Sequence, residues 1–135
     1  MPIMNWDKSL DIGVVDMNDD HKEILAVMNA IYDAASQGRT GSAINDLVDK
    51  LAKVCVSHFA DEEKYMASIA FPGIETHKLI HKKLLSDYAA HAETIKKAGG
   101  TTNEDFFFFL KRWLTSHIKG IDIKYADHSR RSAAA

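Results

Sequence analysis

The chain has little of what marks several protein classes. Its 135 residues include a single cysteine, Cys55, so no internal disulfide can form. The thiol falls on the apolar stripe of its segment, where packing is the expected role. Only two prolines, Pro2 and Pro72, interrupt it, which leaves long uninterrupted segments free to be helical. There is no basic excess of the kind that tracks nucleic acid: Lys plus Arg number 17 against 19 Asp plus Glu, for a formal charge of -2. No apolar run approaches the roughly 18 residues of a membrane span. The N-terminal segment MPIMNWDKSLDIG lacks the basic-then-apolar pattern of a leader, so a cytoplasmic location is the expectation. Low-complexity stretches, linkers and internal repeats are absent too, and the length suits one domain around one core.

What the sequence has is apolar periodicity and inward histidine. Residues 1–17 place Trp6, Ile12, Val14 and Val15 without helical spacing, and read as an ordered arm. A first helix is predicted from Asn18 or Asp19, either able to cap it, to about Gln37 before Gly38. A second runs from about Ser42 to Ala67, and a third from Gly73 or Ile74 to Ala98, stopped by Gly99 and Gly100. The fourth is announced by Thr102 with Asp105 three residues on, an approximate capping box, and Gly120 loosens or ends it. The fold expectation is all-α: an up-down-up-down antiparallel four-helix bundle with an ordered N-terminal arm. Residues 18–127 form the bundle and its end, and residues 128–135 a disordered tail.

Residues 58–81 organise the chemistry. His58 and Glu62 stand four apart, as do His77 and His81, and four α-helical residues turn through about 400°, so each pair shares one face. Phe71, Pro72 and Gly73 lie between the pairs and make a turn, so the two pairs face each other across a helical hairpin. In the up-down-up-down topology, His21 near the start of helix one and His117 near the end of helix four reach the same level. A single histidine on an apolar stripe is usually a hydrogen-bonded core residue. Glu62 is harder to accommodate, because a buried carboxylate without a cation costs several kcal/mol and no Lys or Arg stands on the facing stripes.

Asp122 lies five residues after His117, about 140° away in a continuous α-helix, and joins the site only if the helix unwinds near Gly120. The inventory is then five imidazoles and two carboxylates. One zinc takes four ligands, and calcium or magnesium avoids imidazole, so two transition-metal ions suit it, iron before manganese. His91, about 15 Å along the third helix from His81, is too far to coordinate.

This pattern resembles the hemerythrin family, specifically its single-domain bacterial members. It comprises His21, His58 and Glu62, His77 and His81, then His117 and Asp122, together with the Trp6 arm, DEEKYM after His58 and WLTSHI around His117. The resemblance implies a diiron site, one iron on His77, His81 and His117 and the other on His21 and His58. Glu62, Asp122 and an oxo or hydroxo group would bridge them, leaving one open position on the second iron for dioxygen. It also implies an apolar oxygen pocket at Trp113, Leu114 and Ile118, with Ile24 and Phe59 as neighbours.

The function expected is reversible oxygen binding for storage or delivery, without catalysis, with an oxygen-consuming enzyme as recipient. Alternatives on the same fold are a diiron oxidase, peroxidase or iron-donating repair protein, or an oxygen sensor acting through a separate partner. The run Phe106 to Phe109 spans about 300° of helix, so Phe107 and Phe108 point outward. The arm is expected to cover them in a monomer, with a partner chain as the alternative cover.

Overall fold

The computed structural model describes residues 3–134. Four helices form an antiparallel bundle: α1 (Val15–Ser36), α2 (Ser42–Ser68), α3 (Ile74–Lys97) and α4 (Glu104–His117). After α4 comes a π-helical turn, Ile118–Asp122, and then α5 (Ile123–Ala134). A short 3-10 turn, Lys8–Leu10, interrupts the arm, and no strand occurs among the described residues. The core interleaves one stripe from each helix, including Met28 and Ile31, Ile44 and Leu51, Ile95, and Phe106 and Leu110, all fully buried.

Helix ends follow local rules. Helices α1, α2 and α3 each close in a Schellman motif, with Arg39 N donating to Ala34 O, Phe71 N to Met66 O and Gly100 N to Ile95 O. The left-handed residue is glycine in two of them, Gly38 and Gly99, but in the α2–α3 turn it is Ala70, at φ 52°. At the end of the bundle remote from the histidines, the α1–α2 and α3–α4 loops touch, Gly41 N donating to Gly99 O at 2.9 Å. A Cβ on Gly100 would meet the Gly41 backbone at 2.3 Å, so only glycine fits there.

Four expectations need correction. Helix α1 begins at Val15, not at Asn18 or Asp19. The Asn18 side chain instead accepts from Ile12 N and donates to Asp11 Oδ1, tying the arm down. Helix α4 is capped by Asn103, whose Oδ1 accepts from Phe106 N at 2.8 Å, so Thr102 and Asp105 form no box.

The chain beyond 127 is helical to Ala134 rather than disordered, because His128, Ser129 and Arg130 find partners in Ile69 O, Tyr65 Oη and Ile12 O. Lastly, Phe107 is covered by Tyr32 of α1, ring to ring at 5.0 Å, while Phe108 stays 66 % exposed and Val15, on the outer face of α1, 70 %. The arm covers the side of α1 instead: Asn29 Oδ1 accepts from Ile3 N and its amide donates to Met4 O.

Candidate metal centre

The helical phase brings His21, His58, Glu62, His77, His81, His117 and Asp122 to one level, all buried, with Glu62 and Asp122 fully so. The π turn explains how Asp122 joins them. It closes an i→i+5 bond, Ile123 N to Ile118 O, which places residues five apart one above the other. His117 and Asp122 therefore share a face without a break in the helix, and Gly120 lies inside this widened turn.

The carboxylates divide the cluster. Glu62 Oε1 lies 2.7 Å from His81 Nε2 and 2.9 Å from His77 Nε2, while Oε2 lies 3.0 Å from His58 Nε2. Asp122 Oδ1 lies 2.9 Å from His117 Nε2 and 3.2 Å from His77 Nε2, while Oδ2 lies 3.0 Å from His21 Nε2. Each carboxylate thus turns one oxygen toward a three-histidine half and the other toward a two-histidine half. Two groups of donor atoms compact enough for a metal ion result, one of Glu62, His77, His81 and His117 and one of His21, His58, Glu62 and Asp122.

These donors fit a metal better than they fit one another. His21, His58, His77 and His117 Nε2 and both Asp122 oxygens are buried, and none has a properly directed hydrogen bond. Leaving such groups unpaired is costly. Two ligand atoms about 2.1 Å from one ion and at right angles lie about 3.0 Å apart, which is the spacing found here.

Electrostatics carry the same demand for cations. Burial disfavours imidazolium at His21 and His117, yet the Asp122 and Glu62 carboxylates outweigh it and hold both up at about 9. His77 moves up by the same balance. Burial likewise opposes ionisation of Glu62, and its imidazole contacts, His117 foremost, overcome this and keep it well below the usual carboxylate range. Asp122 is held below that range as well, against its own burial and the Glu62 charge, by His117 and His21. By contrast, burial alone pushes the Cys55 thiol up to about 12, which suits packing and not chemistry.

Around the cluster stand residues that sequence reasoning did not single out. Asp20 Oδ2 lies 2.9 Å from His58 Nδ1, and Glu63 Oε2 2.9 Å from His81 Nδ1. Such carboxylate contacts fix the ring orientation of a metal-binding histidine. Tyr125 Oη donates to Glu62 Oε2 at 2.9 Å. The apolar positions Ile24, Phe59, Trp113, Leu114 and Ile118 are all buried. Phe59 stacks on His81 at 3.9 Å and meets His58 at 5.7 Å, so it spans both halves. His91 packs instead against Phe106 and Phe109, and His128 against Phe71, both away from the cluster.

The model of the hemerythrin HHE cation binding domain matches residues 13–127. A bacteriohemerythrin of Pseudomonas paraeruginosa is 31% identical over 130 residues, covering 94% of this chain and 82% of that protein. A myohemerythrin of Riftia pachyptila is 34% identical over 120 residues, covering 89% and 88%. Among solved structures, a wild-type hemerythrin superposes with a TM-score of 0.82 at 29% identity, covering 92% of this chain and 95% of that one.

Proposed function

Because this chain belongs to the hemerythrin family, we propose that it binds dioxygen reversibly at a pair of iron ions, for storage or delivery in the cytoplasm. The observation that carries this reading is the division of the Glu62 and Asp122 oxygens between three histidines and two. His77, His81 and His117 would hold one iron, His21 and His58 the other, with both carboxylates bridging. When bound, the iron pair supplies the reversible redox chemistry.

The residues supply the rest. Counting protein donors, the two-histidine half has one nitrogen fewer than its neighbour, so a small ligand would find its place there. Ile24, Phe59, Trp113, Leu114 and Ile118 would keep water and anions away from that place. Five imidazoles against two carboxylates favour a carrier over an oxygen-activating enzyme, since those bundles are carboxylate-rich. We read the chain as a single domain and a monomer, with an oxygen-consuming enzyme as its recipient.

The test is to load and reduce the protein without air, then admit and remove oxygen while recording the visible spectrum. A charge-transfer band that comes and goes over repeated cycles is the expected result. Irreversible bleaching, or steady turnover of a reductant, would sink the carrier reading.

A further inference from the structure

Tyr125 is fully buried, and its phenol donates to Glu62 Oε2 at 2.9 Å. The acceptor is the oxygen directed at His58 and His21, not the one lying against His77 and His81. A carboxylate oxygen has two lone-pair directions, so Oε2 can face a metal with one and the phenol with the other. The ring is held in place by Tyr65 at 5.6 Å, His77 at 5.7 Å and Phe71 at 6.4 Å. Tyr125 stands three residues after Asp122, on the first turn of α5, and so presents the same face.

Resting on the iron-pair reading, we propose that Tyr125 is a positioning residue that holds Glu62 across both halves of the site and damps Oε2 as a donor to the His21/His58 half. Two physical effects follow from that one bond. The phenol fixes the carboxylate plane, opposing its collapse onto the three-histidine half. It also draws electron density from Oε2, and a weaker donor favours ferrous over ferric iron, as outer hydrogen bonds tune other metal sites. Tyr125 therefore protects the reduced state specifically at the less saturated position.

The experiment compares the full-length wild type with Tyr125→Phe and Tyr65→Phe. Tyr65→Phe removes the Tyr65–Ser129 hydrogen bond that docks α5 and leaves the Tyr125 phenol in place. Iron per chain, the reduction potential of the loaded protein and its rate of irreversible oxidation in air are measured. Tyr125→Phe is expected to have a more negative potential and to oxidise about tenfold faster, the scale set by one hydrogen bond to a charged group. Tyr65→Phe should keep the wild-type potential.

Growth on a fluorinated tyrosine gives a second measurement that does not depend on the variant folding. Its phenol is the stronger donor, and the potential should move the opposite way. A Tyr125→Phe protein with wild-type iron content and potential would overturn the proposal, as would equal shifts in both variants or no shift with the fluorinated residue. Wild type that fails to hold an iron pair would instead overturn the reading of the site itself.

Discussion

At the scale of single residues, Glu62 decides how the core must be read. It is fully buried, and its contacts are five histidines and a phenol, with no lysine or arginine among them. Removing it strands the imidazoles around Asp122 alone. Glu62→Ala is expected to weaken metal retention by more than about 100-fold, since even outer-shell partners are worth 10- to 100-fold. His91→Ala removes a ring packed on Phe106 and Phe109 and should leave retention unchanged. Metal analysis after dialysis against a chelator separates them, and equal losses would mean that the inward polar residues have been sorted wrongly.

The same cluster sets the pH response of the metal-free protein. His21 and His117 rise from 6.5 to about 9 on folding. Their contribution is fully present below the unfolded value of 6.5 and is lost as pH rises through about 9. Glu62 and Asp122 are depressed, so theirs is present above the unfolded carboxylate values and is lost only in strong acid. Metal-free protein should therefore be most stable between about pH 5 and 6.5 and weaken toward 9. Metal-loaded protein should not weaken there, because deprotonated imidazole is the ligand form. Denaturant midpoints of both forms across pH 5–9 check this, and a metal-free midpoint that rises with pH would contradict it.

The shared faces of His58 with Glu62 and of His77 with His81 were legible because i,i+4 spacing shows which residues lie one turn apart. Asp20, Glu63 and Tyr125 were not, because whether an exposed-looking carboxylate reaches a ring nitrogen depends on side-chain direction across helices, which spacing does not carry.

At the scale of elements, periodicity located α2 and α3 closely, while ends governed by capping were harder to place. Asn18 looked like a cap and instead holds the arm, and Asn103 took the capping role assigned to Thr102. The π turn was visible only as a demand, since Asp122 could reach the cluster only if the helix departed from 3.6 residues per turn. The sequence offered Gly120 as a weak point, and the structure widens the turn there without breaking the helix.

Comparison of the helix ends also exposes a defect. Three Schellman motifs use a left-handed residue, and Ala70 is the one without glycine's freedom. The left-handed conformation costs an L-residue about 1–2 kcal/mol. Ala70→Gly should relieve most of this, less the extra chain entropy of glycine when unfolded, for a net gain of about 0.5–1 kcal/mol. Thermal denaturation should show a midpoint higher by about 2–4 °C, with metal content unchanged. A lower midpoint would mean that the alanine methyl contributes packing that outweighs its strain.

For the whole molecule, the arm and α5 act together as a clasp around the metal end. Leu10 and Ile12 of the arm are buried, Arg130 of α5 donates to Ile12 O at 3.0 Å, and Lys22 sits over the Trp6 ring at 5.3 Å. That the arm is ordered was legible from its uncommitted apolar residues. Its location was not: Phe107 had a nearer partner in Tyr32, while the 3-10 turn of the arm lies against the π turn and Ile12 is tied to Asn18 of α1 and Arg130 of α5. Burying the Leu10 and Ile12 side chains is worth about 1.5–3 kcal/mol each, against the cost of ordering the segment. Deleting residues 1–13 should therefore lower stability by a few kcal/mol and uncover the apolar surface beneath Leu10 and Ile12. In sedimentation, the full-length protein should run as a single chain, and the truncated one should associate as concentration rises. Phe108 is the rival site for a partner, since it remains 66 % exposed on the outer face of α4. A full-length dimer that Phe108→Ser dissolves would assign the exposed aromatic, and not the arm, to the control of assembly.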